Sequence, residues 1–574
     1  MARANDDVEQ ALLEFADLLS ILSDDPYKPR SYEKAARSVG GYHADISGLD
    51  LKGILGIPSV GKSIGEKVLE LLETGTFADL EELRGQIPGG VREMMSIPGL
   101  GPKKAMVLHR ELGVSSVDEL LEAIDDDRVA GLKGFGKRTQ NNILSGMQQL
   151  SASGGRVLVS VALDVAEAML AELTALKQVR RAAFAGSLRR MRETIGDVDL
   201  LVASTDADPI MQTFAALPSV SRVLAKGDTK SSIVTDRGLQ VDLRVVTPEV
   251  WGAAMIYFTG SKAHNVRIRE RAVREGLKLS EYGLFDAKSG ELLAAETEEQ
   301  VYERLGLPYI EPTLREDRGE VEAALAGELP KVIEQRQIRG DLHTHTNLTD
   351  GLASLEEMLE AVQGFGYAYY AVTDHAPDLA MQRMTDAKIL AQRARMQALQ
   401  PEFAMALLQG TELNIDPVGN VDWPDVFLAG FDVTVASVHS HLTQPRDEMT
   451  RRVIRAIENP FVNVIGHLTG RLIGKRPPVD LDLEAVFAAA ARTGTALEIN
   501  SFPERLDMKD EHILWARRHG VKFAVNTDSH AAVHLPFMRY GVATAQRGWL
   551  TKDDVINTWP LAKLRRFLRK GRPA

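Results

Sequence analysis

The sequence predicts a multidomain protein with three architectures in series: an all-α N-terminal part, an α+β sheet domain, and a C-terminal barrel of alternating strands and helices. Three observations predict it. A glycine-containing loop recurs three times among helical stretches before about residue 150. Two strand-like runs, DVDLLVA (197–203) and LQVDLRVV (239–246), carry aspartates. From about Ile338, seven short apolar runs alternate with helical stretches, which is the β-α rhythm of a parallel barrel. At 574 residues the chain exceeds what one hydrophobic core supports, and domains of ~150 residues suggest three or four.

Composition narrows the class. Apolar residues make up 44% and charged residues 26%, as in ordinary soluble globular domains. No run of ~18 apolar residues exists, so no membrane span is expected. The start, MARANDDVEQALLEF, carries acids where a signal peptide would be basic, and a cytoplasmic location is expected. Cysteine is absent, which excludes disulfides and thiolate metal sites. The net charge of −12 argues against a uniformly basic nucleic-acid binder, but binding needs only a local basic surface. Arg180, Arg181, Arg189, Arg190 and Arg192 share one window without an acid. Lys262, Arg267, Arg269, Arg271 and Arg274 form a second window, with Glu270 its only acid. Each window reads as either a solvated charged face or a phosphate-contacting one.

The three loops are GIPSVGKSIGEKV (56–68), SIPGLGPKKAMVL (96–108) and GLKGFGKRTQNNI (131–143). Each places glycine and then a basic residue at a helix start. Backbone N–H groups there favour an anion, and glycine admits close approach and positive φ. A single copy would be plain turn chemistry. Three copies resemble helix-hairpin-helix motifs, which grip DNA phosphates without reading bases. The resemblance implies DNA contacts at Gly61, Gly99, Gly101, Gly134 and Gly136.

In the sheet domain, Asp197 and Asp199 stand two apart and face one side of their strand. They repel unless a cation lies between them. Asp242 sits within the second run. Three strand-borne aspartates without a nearby histidine suit Mg²⁺ or Mn²⁺ and two-metal phosphoryl transfer. Alternatively they are a solvated acidic strand end. A Gly186-Ser187 turn followed by two arginines can hold a triphosphate beside them. The pattern GSLRR, GDVDLL, VDLRVV resembles the nucleotidyltransferase palm of family X DNA polymerases, the DNA polymerase beta family. It continues in YFTGSKAHNVRIRERAVREGLKLSEYGLF (257–285), thumb-like in that family.

The resemblance implies Asp197, Asp199 and Asp242 as metal ligands, with Asp242 the base for the primer hydroxyl. Gly186, Ser187, Arg190 and Gly196 would hold the triphosphate. Tyr257, Phe258, Gly260, Lys262 and Asn265 would line the nucleotide, with Asn265 at the base edge or minor groove and Arg269 on the template side. Near the N-terminus, YKPRSYEKAARSV (27–39) and SIGEKV resemble the family's lyase domain. There a lysine forms a Schiff base with 5′-deoxyribose phosphate. Lys67 matches that lysine, and Lys28 and Tyr32 match 5′-phosphate contacts. The sequence departs from the pattern at Ser63, where a phosphate-binding lysine is usual, and at Gln240, where an arginine is. Lys67 reads equally as an exposed helix lysine or a simple phosphate contact.

The barrel runs are RGDLHTHT, YAYYAVTDH, MALLQGTELNI, VTVASVHS, FVNVIGHL, TALEINS and KFAVNTDSH. Nearly all end in a metal-ligand type: His343 and His345, His375, Glu412, His439, His467, Asp528 and His530, with Asp350 shortly after the first run. Sites in β-α barrels are built at the C-terminal ends of strands. Six of the 13 histidines stand in these positions, and nine ligands imply two or three ions. Mixed imidazole and carboxylate donors suit Mn²⁺, Zn²⁺ or Fe²⁺. His441, His512, His519 and His534 are expected at the surface or behind the ligands. The series HTHTNLTDG, TDH, GTE, SVHS, GH, NTDSH resembles the polymerase and histidinol phosphatase (PHP) domain, a (β/α)7-like distorted barrel. Its members hydrolyse phosphate esters, and bacterial family X polymerases carry it at the C-terminus.

The expected domains are 1–88 (lyase-like, helical), 89–152 (helix-hairpin-helix, fingers-like), 153–249 (palm), 250–316 (thumb-like), 317–337 (charged linker) and 338–574 (PHP barrel). The expected function is a monomeric, nucleoid-associated bacterial repair polymerase. It would take gapped or nicked double-stranded DNA and deoxynucleoside triphosphates. The resemblance adds a 3′→5′ exonuclease, with 3′-phosphatase or abasic-site cleavage as further readings. The rivals are a PHP phosphoesterase with an inactive polymerase scaffold, a polymerase with a purely structural PHP barrel, and a small-molecule phosphatase.

Overall fold

The computed structural model describes residues 4–570 except 23–24, 26, 41, 43–44, 96, 98–99, 138, 145–146, 148–154 and 380–383. The N-terminal part is helical, with Ala4–Leu22, Tyr27–Gly40, Lys62–Thr74, Ala78–Gln86, Pro102–Leu112 and Val117–Asp125 its longer helices. One apolar cluster runs from Val8 to Met147, so the expected boundary at residue 88 does not interrupt the core. At its centre Phe15 meets Tyr32 at 4.7 Å and Phe77 at 5.1 Å, edge to face.

The palm is a five-stranded sheet in the order Arg181–Phe184, Asp197–Ala203, Gln240–Val246, Lys230–Thr235, Val220–Lys226. Asp197–Ala203 and Gln240–Val246 run parallel, and the other pairs are antiparallel. Alternation explains the faces: Val241, Leu243 and Val245 are buried, while Asp242 and Arg244 point to the other side. The apolar face is covered by the helix Val159–Thr174. The thumb adds helices Trp251–Thr259, Lys262–Arg274 and Glu298–Arg304 and a three-stranded antiparallel sheet.

Residues 317–337 are not a free linker. Glu320–Ala326 is the only part of the segment that is α-helical, and Val321, Ala324 and Val332 pack into the thumb core beside Tyr302 and Ile310. Glu320 is fully buried and receives His264 Nδ1 at 2.7 Å. Ile333, the residue after Val332, already belongs to the barrel core.

All seven expected runs form strands. Gly340–Asp341, Tyr369–Val372, Ala406–Asn414, Val433–Ser437, Val464–Ile465, Ala496–Asn500 and Phe523–Asn526 pair in sequence order, each parallel to the next. The seam between the first and last strands is bridged at Thr344 and Ser529, and the Asp528 N–H donates to the His343 carbonyl at 3.0 Å. Asn557 fills the rest of the seam: its Nδ2 donates to the Gly340 and Val525 carbonyls at 2.9 and 2.5 Å.

The barrel is docked on the palm. Leu506 and Tyr540 of the barrel are 2% exposed and belong to the palm's apolar cluster. Arg471 Nη2 meets Glu193 at 2.7 Å, and Arg539 Nη1 meets Glu167 at 3.1 Å.

Candidate active sites

In the palm, parallel pairing sets Asp199 beside Asp242 and Asp197 beside Gln240. Gly186 lies over Asp199 with φ of +62°; a Cβ there would come within 2.3 Å of Asp199 Oδ2. Burial, then the charges of Asp197 and Asp242, push the Asp199 carboxyl up to about 6. A divalent cation would relieve that repulsion, so these residues fit the expected ions. Gln240 Nε2 donates to Asp242 Oδ1 at 3.0 Å, and Lys230 Nζ lies 3.3 Å from Asp242 Oδ2. Ala185, Asp199, Lys230, Asp242, Arg244 and Phe258 line a cavity of about 160 Å³.

Of the residues expected to line the nucleotide, Phe258 is the one that borders this cavity. Tyr257 is 39% exposed, and Arg244 covers the Phe258 ring at 4.7 Å. Asn265 is buried, donates Nδ2 to the Tyr257 carbonyl at 2.8 Å, and keeps Oδ1 without a hydrogen bond. Arg269 is exposed, with its guanidinium 6.0 Å from the Tyr257 ring. Lys262 is exposed at the start of its helix, after Gly260 with φ of +67°.

The two basic windows resolve differently from a uniform basic face. Arg189 is held by Glu298 at 2.5 Å. Arg190 donates Nε to Glu316 at 3.0 Å and Nη1 to the Thr259 carbonyl at 2.5 Å. Arg267 pairs with Glu322, Asp317 and Glu270, and Arg271 with Glu275. Arg156 was missed by sequence reasoning: its Nη1 lies 3.1 Å from where a Cβ on Gly196 would stand. No motif contains Arg156, and only the fold brings it to Gly196.

In the N-terminal part, Gly61 and Gly101 are the residues just before their helices, both extended rather than at positive φ. Gly134 has φ of +87° and Gly136 is exposed, whereas Gly99 lies outside the described residues. In the first loop the left-handed residue is Ser59, not glycine. Lys28 is exposed, but Tyr32 is 5% exposed and serves the core. Lys67 is not a free exposed lysine: its side chain is 16% exposed and its Nζ meets Asp79 at 2.7 Å. Burial lowers its pKa, but the hydrogen bond to Asp79 and nearby charges raise it further, and the net shift is upward.

At the barrel mouth, nine expected ligands converge. Glu412 is 1% exposed and stands at their centre. Its oxygens lie 2.9 Å from His375 Nδ1, 3.0 Å from His467 Nε2, 3.2 Å from His439 Nε2, 3.5 Å from His343 Nε2 and 3.6 Å from His345 Nε2. Burial opposes its ionisation, yet the imidazoles hold the carboxyl well below the usual range. Asp528 lies 3.2 Å from His345 Nε2, and Asp350 lies 3.2 Å from His375 Nε2 and 3.5 Å from His530 Nε2.

Three groups could each hold an ion among the described residues: His345, Asp350, His375 and His530; His343, His345 and Asp528; His375, Glu412 and His439. His467 stands outside these groups but touches Glu412. His343 Nε2 and both ring nitrogens of His345 are buried without a hydrogen bond, which is the state of a donor set shaped for cations.

Glu498 was also missed. It is fully buried, takes His343 Nδ1 at 2.7 Å, and accepts the His467 N–H at 2.8 Å and Asn526 Nδ2 at 2.9 Å. It therefore turns His343 Nε2 toward the ligand cluster. Its run, TALEINS, carries the acid within the strand rather than beyond its end, so it reads as barrel interior. His534 stands behind the ligands as expected: its Nδ1 accepts the His530 N–H at 3.2 Å.

Fold and sites together define a DNA polymerase beta-like protein fused to a metal-binding phosphoesterase barrel. Residues 3–77 match the helix-hairpin-helix domain, 91–148 the SAM-like helix-hairpin-helix tandem, 254–316 the DNA polymerase beta thumb and 341–502 the PHP domain. The chain belongs to the bacterial family X DNA polymerases of the PolX type. It is 35% identical over 569 residues to the DNA polymerase/3′-5′ exonuclease PolX of Bacillus subtilis (strain 168), covering 98% of this chain and 99% of that one. It is also similar to DNA polymerase lambda of Rattus norvegicus, 27% identical over 325 residues, covering 51% of this chain and 53% of that one. It is further similar to a probable phosphatase of Thermoanaerobacter sp. (strain X514), 30% identical over 243 residues, covering 40% of this chain and 94% of that one.

Proposed function

We propose that this chain is a DNA-directed DNA polymerase that fills short gaps in DNA repair and trims 3′ ends with its PHP barrel. The observation that carries it is two complete ligand sets on one chain, collinear over 98% of its length with a polymerase/exonuclease. Asp197, Asp199 and Asp242 would hold Mg²⁺ or Mn²⁺, which supply charge neutralisation at the transferring phosphorus. Asp242 accepts the primer hydroxyl proton. Gly186, Ser187 and Gly196 hold the triphosphate by backbone approach, and Tyr257, Phe258 and Asn265 wall the base and sugar.

The barrel ligands would hold two or three ions, with Mn²⁺ favoured over Zn²⁺ or Fe²⁺ by the family resemblance. Glu498 and Asn500 orient the imidazole and carboxylate donors; Asn500 Nδ2 donates to Asp528 Oδ2 at 3.0 Å. Arg505 Nε, 3.9 Å from Asp528, adds positive charge at the mouth. We place the enzyme in the bacterial cytoplasm as a monomer on gapped or nicked duplex DNA. Among the described residues no helix is long and apolar enough to cross a membrane.

One gel tests the proposal. A 5′-labelled primer on a one-nucleotide gap is incubated with Mn²⁺, with and without deoxynucleotides. Lengthening with nucleotides and shortening without them is expected. Lengthening alone would make the barrel structural. Shortening alone would make the palm a scaffold.

A further inference from the structure

We propose that Arg547 of the barrel is a positioning residue for the polymerase's nucleotide site, acting through Glu316 and Arg190 on the Thr259–Ser261 turn. The inference rests on the polymerase reading above and extends it to a residue 231 positions beyond the end of the thumb. A chain of contacts carries it. Asp510, the first residue of the barrel helix Asp510–Arg518, receives Arg547 Nη2 at 2.7 Å. Arg547 Nη1 donates to Glu316 Oε1 at 2.9 Å and to the Arg190 carbonyl at 2.7 Å. The same Glu316 oxygen takes Arg190 Nε at 3.0 Å, and Arg190 Nη1 donates to the Thr259 carbonyl at 2.5 Å. Thr259 ends the helix of Tyr257 and Phe258, and Arg190 Nη1 lies 3.2 Å from where a Cβ on Gly260 would stand.

The chain differs from ordinary docking contacts. Arg547 is 4% exposed, so its charge is withdrawn from water and depends on these partners. One Glu316 oxygen serves two guanidinium groups, and a third, Arg192, stands 3.7 Å from the other oxygen. Without Arg547, Glu316 is free to turn toward Arg192, and Arg190 loses the partner that aims it at the turn. Arg539–Glu167 also joins barrel and palm but touches no residue of the nucleotide site, and so provides a control.

The test uses the full chain. The KM for deoxynucleotide and kcat are measured on a one-nucleotide gap with Mg²⁺. Hydrolysis of bis(p-nitrophenyl) phosphate with Mn²⁺ reads the barrel independently. Arg547→Gln is expected to raise the nucleotide KM about tenfold, the size of losing one charged hydrogen bond, with a smaller change in kcat and unchanged diester hydrolysis. Arg547→Lys should fall between, Arg539→Gln should match the wild type, and Glu316→Gln with Arg547→Gln should be no worse than either alone. A KM within about twofold of wild type in Arg547→Gln, or an equal rise in Arg539→Gln, would overturn the inference. If Arg547→Gln does not fold, unchanged KM in both Arg547→Lys and Glu316→Gln overturns it instead. Absence of extension by the wild-type chain would overturn the polymerase reading, and this inference with it.

Discussion

Asp199 and Asp242 are direct partners in the parallel register of Asp197–Ala203 and Gln240–Val246, although they stand 43 positions apart in sequence. Parallel neighbours in register present the same face at the same level, so the two carboxylates share one site with Asp197 above them. Removing Asp242 should therefore disable synthesis alone. We expect Asp242→Ala to lower primer extension by on the order of 10²–10³-fold or more, while nucleotide-free degradation of the same primer continues. Surviving extension would refute the palm assignment.

His343→Ala combined with His345→Ala should do the reverse. Both imidazoles are fully buried between Glu412 and Asp528, and together they touch two of the three candidate ion groups. Manganese-dependent shortening should vanish and gap filling persist. The same gel run with both variants separates the two halves.

Glu498→Gln tests the residue behind the ligands. It keeps the shape but loses the charge that holds His343 Nδ1–H. Mn²⁺ affinity, measured calorimetrically, should fall by roughly 10–100-fold, with a parallel fall in diester hydrolysis. Wild-type affinity in this variant would make Glu498 an ordinary buried acid.

For Lys67, the ion pair with Asp79 keeps the amine protonated, and only the neutral amine attacks an aldehyde. If the lyase operates, borohydride trapping on a 5′-deoxyribose-phosphate substrate should rise with pH. Asp79→Asn should increase the adduct at neutral pH, and Lys67→Ala should abolish it. No adduct in the wild type at any pH would end the lyase reading.

Docking of the barrel should weaken in acid. Burial disfavours the Asp510 charge, but Arg547 and Arg318 outweigh it and bring the carboxyl down to about 2. A folded pKa below the unfolded value of ~3.9 contributes stability above that value, lost as pH falls through about 2. The contribution is on the order of 2 kcal/mol at neutral pH. Thermal melts should lose this increment between about pH 4 and pH 2, and Asp510→Asn should flatten that part of the profile.

Much of this protein was legible in its sequence. Period-two and run-length patterns gave all seven barrel strands and both aspartate-bearing palm strands, because strand faces are fixed by local geometry. The ligand types followed, since barrel sites form where runs end. What the sequence determined is thus the elements and the chemistry each one carries. Tertiary structure alone decided which groups meet. Arg156 reached Gly196 and Glu498 reached His343 across several intervening helices and strands, which no local pattern encodes. Segment 317–337 read as a helical, charged linker, yet Val321, Ala324 and Val332 find a thumb core to fill. The arginine window at 180–192 read as one surface, whereas Arg189 and Arg190 are held by carboxylates of the thumb region, Glu298 and Glu316. Charge in a sequence shows what can pair; only the packed domains bring the partner within reach and exclude the water that would otherwise replace it.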